Sequence, residues 1–130
     1  MGKTLEVGGE DHLTITSFSK MDEANSLAGS RFSVLTDEVA KLQRALISFM
    51  LDKAEEHGYE EHYLPLIANT ESLQATGQLP KFADDLFQLT DDYYLITTAE
   101  VSLTNSYRNQ IISLKSITIN ITAYKHCYRL

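Results

Sequence analysis

One long amphipathic helix is the feature that most constrains the fold of this chain. Between Thr36-Asp37 and His57-Gly58, apolar residues recur at helical spacing, at Val39, Leu42, Leu46, Phe49 and Met50. Thr36 and Asp37 are residue types that begin helices, and Asp37 can pair with Lys41 one turn later. Gly58 can adopt the left-handed conformation that ends a helix. The pattern therefore predicts a helix with one apolar face that another surface must cover.

Short strand patterns follow this helix and predict a sheet. Residues 59–67 read as an extended segment whose Pro65 belongs at a sheet edge or an interface. Residues 85–89 and 93–97 flank a polar turn and predict a hairpin. Residues 117–122 alternate isoleucine with polar side chains, as in a strand with one buried face. We expect an α+β fold in which the long helix packs on a mostly antiparallel sheet.

Composition limits the class of protein. With 130 residues, 43% of them hydrophobic, the chain can form one globular domain with a core. Its formal net charge of −7 opposes binding a nucleic acid through a broad basic surface. The single cysteine, Cys127, excludes an intramolecular disulfide, and its strand context predicts burial. The start of the chain has no secretory pattern and no run has membrane-spanning length, so we expect a cytoplasmic protein with no membrane partner.

Several short runs spread along the chain are distinctive. The clearest is Thr76-Gly77-Gln78-Leu79-Pro80-Lys81-Phe82. The others are Gly29-Ser30-Arg31-Phe32, Leu42 through Asp52, His57-Gly58-Tyr59 with Leu64-Pro65-Leu66, Thr98-Ala99-Glu100, and Cys127-Tyr128-Arg129. Together these runs resemble the seryl-tRNA synthetases, which are class II aminoacyl-tRNA synthetases. The resemblance implies a partial class II catalytic domain over 1–130. In it, residues 1–35 form a wrapping segment, 36–67 the motif 1 helix and strand, and 68–130 a sheet with a serine triplet and the start of motif 2.

The resemblance also implies roles for individual residues. Thr98, Ala99 and Glu100 match the triplet that binds serine, Arg129 matches the catalytic arginine that contacts the ATP phosphates, and Pro65 matches the motif 1 proline of a homodimer interface. An arginine suits this chemistry because its planar, permanently charged guanidinium can hold phosphate and carboxylate oxygens in a fixed geometry. ATP with Mg²⁺, serine and tRNA(Ser) are the ligands that the family implies, and no metal site belongs to the chain itself.

Several of these residues have an ordinary structural interpretation. Thr97 and Glu100 fit the capping-box pattern of a helix start, and Thr97 stands where a proline is common in the family. Lys81 is as well explained by an exposed turn as by a phosphate contact. The His57, Glu60, Glu61 and His62 cluster lacks a standard metal-ligand spacing, because Gly58 interrupts it.

Departures from the family pattern limit the transfer of function. After Arg129 the family continues through the rest of motif 2 and motif 3, whereas this sequence has Leu130. We also expect these 130 residues to lack the tRNA-binding arm that precedes the catalytic domain in the family. We expect the isolated polypeptide to be inactive and to bind neither ATP nor Mg²⁺ tightly. The alternative is a non-catalytic, synthetase-like module for dimerisation or partner binding.

Overall fold

The computed structural model describes residues 8–9, 20–30, 32–114 and 118–130. The chain divides into two compact units, Met1–Ser48 and Phe49–Leu130. The predictions that concern residues 1–7, 10–19 and 31, which include most of the wrapping segment, lie outside the described residues. The same is true of Ile117 at the start of the predicted final strand.

Helix α1, Met21–Ala28, belongs to the first unit and is short. Its start is held by the Lys20 amide, which donates a 2.8 Å hydrogen bond to the Val34 carbonyl. The Lys20 ammonium donates to Glu23 at 2.9 Å, and this hydrogen bond raises the pKa of Lys20. Gly29 ends the helix at a φ of 97°, and Ala24 is its buried residue.

Helix α2, Asp37–Glu56, confirms the predicted long helix. Gly58 has a φ of 80°, and the Tyr59 amide donates back to the Ala54 carbonyl at 3.0 Å, so the helix ends as expected. The predicted pair of Lys41 with Asp37 is wrong, because Lys41 contacts Glu38 at 2.8 Å. Asp37, the first residue of the helix, has a φ of 46°, in the left-handed region. No helix in the described part of the chain combines the length and apolar character needed to cross a membrane.

The strands form two small sheets in the second unit. Strand β1, Glu60–Glu61, pairs in parallel with β5, Ile121–Thr122. Strands β2 (Ile67–Asn69), β3 (Gln88–Thr90) and β4 (Tyr93–Leu95) form an antiparallel sheet in the order β2-β4-β3. The predicted hairpin is therefore confirmed as β3–β4, with shorter strands than the sequence indicated, and the sheet structure is mostly antiparallel.

The hydrophobic core of the second unit lies between this antiparallel sheet and two short helices, α3 (Thr70–Ala75) and α4 (Ala99–Asn105). Leu73, Ile96 and Val101 are fully buried there. A 3₁₀ turn, Ala83–Asp85, precedes the buried Leu86. Ile96 directly follows β4 and Val101 lies in the first turn of α4, so the core fixes the chain on both sides of residues 97–100.

Helices α3 and α4 are also joined by polar side chains. The Asn105 Nδ2 group donates to the Ser72 carbonyl at 3.0 Å and to the Val101 carbonyl at 2.7 Å. Arg108 lies 3.2 Å from the Glu71 carboxylate. Asn69 accepts the Ser72 amide at 2.9 Å and so caps α3. These contacts hold α4, and with it the chain around the Thr98 triplet, in a fixed position.

Candidate functional site

A cleft of about 210 Å³ in the second unit brings together three separate parts of the sequence. Four of its lining residues belong to the 78–86 segment, namely Gln78, Phe82, Asp85 and Leu86. The other two are Thr97, which follows Ile96, and Arg129, near the end of the sequence. Binding pockets for whole drug-sized ligands measure roughly 300–1,000 Å³. The cleft is therefore large enough for an amino acid or a phosphate group, but small for a complete nucleotide.

The 76–82 run supplies one wall of the cleft and is tied to the end of α3. The amides of Gln78 and Leu79 both donate to the Leu73 carbonyl, at 2.9 and 3.2 Å. The Thr76 hydroxyl contacts the Ser72 carbonyl at 3.0 Å and also the Gln78 side-chain oxygen. Gly77 has a φ of 77°, which favours glycine at this turn. The run thus holds the Gln78 side chain in place and carries Phe82 to the cleft.

Backbone pairing brings Arg129 to the cleft. The Tyr128 amide donates to the Ile96 carbonyl at 2.9 Å, and the Leu130 amide donates to the Asp85 carbonyl at 3.1 Å. Arg129 therefore lies between two anchored residues, beside both Thr97 and the 3₁₀ turn. The role that the family resemblance implies for Arg129, a contact with the ATP phosphates, stays a prediction.

The serine triplet, residues 98–100, follows Thr97 in the sequence, but none of its three residues lines the cleft. Thr98 is the N-cap of α4, and its hydroxyl oxygen accepts the Glu100 amide at 3.3 Å. The prediction that Thr97 caps this helix is wrong, because α4 begins at Ala99 and Thr97 is instead 6% exposed and lines the cleft. The Glu100 residue is exposed in the first turn of α4, where its carboxylate interacts favourably with the helix dipole.

Pro65 lies at a second concave surface. This groove, of about 340 Å³, is formed by α3, α4 and neighbouring residues, namely Leu64, Pro65, Ile67, Ala68, Asn69, Ser72, Tyr93, Ser102, Asn105 and Ser106. Pro65 is exposed, as are Ile67 at 47% and Tyr93 at 52%. The groove carries no charged side chain, so its surface suits contact with another protein surface better than it suits a charged ligand.

The other residues considered from the sequence contribute little to a site. Cys127 is exposed, contrary to the expected burial. Lys81 lies over the Phe82 ring at 4.9 Å. Within the described ranges, no group of three or more His, Cys, Asp or Glu residues could hold a metal ion. His62 contacts Glu60 at 3.2 Å instead.

Sequence reasoning gave no ligand role to the three polar residues that line the cleft beside Arg129, namely Gln78, Asp85 and Thr97. Gln78 lies inside the distinctive 76–82 run, which is the signal that could have identified it. Asp85 and Thr97 have no local signal, because they reach the cleft only through the fold.

Comparisons with known proteins point to one family. No family model matches the chain. The serine–tRNA ligase of a Nitratiruptor species is 56% identical over 104 residues, which are 79% of this chain and 25% of that protein. The corresponding ligase of Teredinibacter turnerae is 47% identical over 126 residues, and that of Pseudomonas putida strain F1 is 44% identical over 135. These alignments cover 92% and 98% of this chain, and 30% and 32% of the two ligases.

Solved structures agree with the sequence comparisons. The crystal structure of seryl-tRNA synthetase from Pyrococcus horikoshii complexed with ATP matches 90% of this chain with a TM-score of 0.82 and 30% identity. A cytoplasmic serine–tRNA ligase from Naegleria fowleri in complex with AMP has the same TM-score at 22% identity, which supports the fold alone. The chain spans about a quarter to a third of the length of the curated relatives it matches.

Proposed function

This chain is related over most of its length to one segment of the seryl-tRNA synthetases, and we propose that it forms the corresponding part of their serine-activating catalytic domain. The observation that carries the proposal is the position of Arg129. Hydrogen bonds of its two neighbours, to Ile96 and to Asp85, place it at the same cleft as Thr97, one residue before the proposed serine triplet.

Serine activation requires attack of the amino acid carboxylate on the α-phosphorus of ATP, with pyrophosphate as the leaving group. A protein accelerates such a step by positioning the reactants and by stabilising negative charge on the phosphate oxygens. The Arg129 guanidinium supplies that charge in the proposal, because it can hold a carboxylate and a phosphate oxygen together. The Pyrococcus horikoshii relative is complexed with ATP, which supports ATP as a ligand in the proposed reaction.

Thr98, Ala99 and Glu100 are proposed to hold serine. The Thr98 oxygen already accepts the Glu100 amide, so its hydroxyl proton and its second lone pair can serve a ligand. Glu100 offers an exposed carboxylate that can accept hydrogen bonds from the serine hydroxyl. A site that hydrogen-bonds a substrate hydroxyl discriminates against the analogue that lacks it, which for serine is alanine.

The proposal includes ATP with Mg²⁺ as cofactors and tRNA(Ser) as the acceptor in a cytoplasmic enzyme. Mg²⁺ typically binds substrate phosphates together with one or two carboxylates, so it would enter the site with ATP. Because the net charge of this segment is −7, we propose that tRNA is bound mainly by residues outside it. Because the chain spans about a quarter to a third of its relatives, we propose that a polypeptide of these 130 residues alone is inactive.

Homodimerisation is the second part of the proposal. Pro65 is exposed beside a groove with an apolar wall, and α2 exposes Leu42, Leu46, Phe49 and Met50 at 55%, 48%, 57% and 67%. These four side chains follow the helical spacing of one face, and such a face is typical of a surface that another subunit covers. The same observation favours the alternative function, a synthetase-like module that dimerises without catalysis, and only an activity assay separates the two.

A chimera tests the catalytic proposal. The chain replaces the matching segment of a curated serine–tRNA ligase, and serine-dependent exchange between ATP and pyrophosphate is measured. We expect exchange in the chimera and a loss of about 100-fold or more with Arg129→Ala, the range for removal of a charge-stabilising group. Arg44→Ala, at an exposed arginine on α2, is the matched control and should leave the rate unchanged. A chimera that folds but gives no exchange would favour the non-catalytic module.

A further inference from the structure

The cleft is lined by two residues of opposite charge, Arg129 and Asp85. No ion pair joins them among the pairs within 4.0 Å in the described part of the chain. The Asp85 backbone carbonyl accepts the Leu130 amide at 3.1 Å, which keeps the two residues on neighbouring walls. Both charges therefore remain available to a ligand that enters between them.

The rest of the lining suits a small polar molecule. Gln78 and Thr97 provide an amide and a hydroxyl, and Phe82 and Leu86 provide apolar surface. Thr97 is 6% exposed and Leu86 is 4% exposed, so this part of the cleft is well defined by the fold. Because Gln78 and Thr97 carry no charge, the charge of the ligand that the cleft prefers depends on Arg129 and Asp85.

We propose that Asp85 is a specificity-determining residue that faces the ammonium group of a zwitterionic amino acid while Arg129 faces its carboxylate. This inference rests on the proposed function, since it concerns how the same cleft selects its substrate. Arg129 alone would attract any small anion. The Asp85 carboxylate penalises a ligand that brings only negative charge and favours one that also brings an ammonium, and such a difference in affinities is what gives specificity.

The neighbouring aspartate provides a matched control. Asp84 and Asp85 lie in the same 3₁₀ turn and are both exposed, but Asp84 is not part of the cleft lining. Asp84→Asn and Asp85→Asn make the same chemical change, since each replaces a charged carboxylate with a neutral amide of nearly the same shape. A general effect of net charge on binding would change both variants alike, whereas a direct contact changes Asp85→Asn alone.

The test is an NMR titration of the ¹⁵N-labelled 130-residue polypeptide with L-serine and, separately, with L-glycerate, which has the same configuration at its central carbon. Glycerate keeps the carboxylate and the terminal hydroxyl but has a hydroxyl in place of the ammonium. We expect L-serine to shift the Gln78 side-chain amide and the Thr97 amide. Asp85→Asn should raise the Kd for serine by about tenfold, the loss expected for one charged hydrogen bond. Its Kd for glycerate should be unchanged or lower, and Asp84→Asn should change neither.

Three results would overturn the inference. One is an equal effect of Asp84→Asn and Asp85→Asn on serine, another is equal weakening of serine and glycerate in Asp85→Asn, and the third is no serine-dependent shift in the wild-type chain. If Arg129→Ala still abolishes exchange in the chimera, the proposed function survives any of them. The amide spectrum of each variant reports its folding, and Asp85→Ser replaces Asp85→Asn if the latter is unfolded.

Discussion

Replacing two apolar side chains on the exposed face of α2 should weaken a homodimer of this chain. The double variant Leu46→Ala and Phe49→Ala removes side chains that are 48% and 57% exposed in the single chain. Both alanines are good helix formers, so α2 itself should persist. The perturbation therefore acts on the surface that we propose a second copy covers.

The expected magnitude follows from the surface that remains exposed. Full burial of a leucine or phenylalanine side chain contributes about 1.5–3 kcal/mol, so covering the remaining half contributes about 1 kcal/mol for each. A symmetric dimer uses each side chain twice, which gives about 4 kcal/mol for the pair of substitutions. The alanine methyl groups retain part of this, so we expect a loss of about 3 kcal/mol, or roughly 100-fold in Kd.

Sedimentation equilibrium over a wide range of protein concentration measures this change. Leu114→Ala is the control, because Leu114 is 83% exposed but lies outside α2. The wild type and the control should dimerise with the same Kd. The double variant should have a Kd about 100-fold higher, so its dimer should dissociate at a higher protein concentration. Equal Kd values for all three proteins, or a wild type that stays monomeric throughout, would refute the assignment of this face to a dimer interface.

Three further predictions concern stability and are measured by urea denaturation. Leu73→Ala, at a fully buried side chain, should lower the free energy of unfolding by about 2–5 kcal/mol, whereas Ile111→Ala, at a fully exposed one, should change it by less than about 0.5 kcal/mol. Equal effects would place the core elsewhere. Asn69→Ala removes the cap of α3 and should cost about 1 kcal/mol, and no loss would mean that the cap is replaced by water. Gly58→Ala should cost about 1 kcal/mol through its φ of 80° alone, because no atom lies within 4 Å of an added Cβ; a stabilised variant would contradict that backbone geometry.

Elements with local signals were predictable from the sequence. Helix α2 combines a regular apolar spacing with a glycine that ends it, and both act within a few residues of one another. The β3–β4 hairpin has its two strands on either side of a polar turn. In each case the residues that determine the element are the residues that form it, so the pattern and the structure agree.

The cleft could not be predicted in the same way, because it is made by contacts between distant residues. Arg129 reaches Thr97 only through the hydrogen bond from the Tyr128 amide to the Ile96 carbonyl, and Asp85 joins them through the Leu130 amide. The resemblance to a family named Arg129, but it gave no reason to include Asp85. The wrong capping assignment of Thr97 has a related cause, since the capping pattern does not reveal that α4 begins one residue later, at Ala99.

Exposure of Cys127 shows a second limit of pattern analysis. Alternation along the predicted final strand indicates which side chains share a face, but it does not show whether that face is covered. Within residues 118–130, strand pairing is confined to Ile121–Thr122, and the Tyr128 and Leu130 amides form backbone hydrogen bonds farther along. Cys127 therefore stays exposed although its sequence context is strand-like.

The proposed function is that this chain supplies one part of a serine-activating site and needs the remaining part from other sequence. Its most direct test is serine-dependent exchange of ATP with pyrophosphate by the 130-residue polypeptide, alone and mixed with a second polypeptide that carries the remaining catalytic segment of a related ligase. We predict no exchange by either polypeptide alone, exchange in the mixture, and loss of that exchange with Arg129→Ala. Exchange by the 130-residue polypeptide alone, or an equally active mixture that contains the Arg129→Ala variant, would contradict the claim.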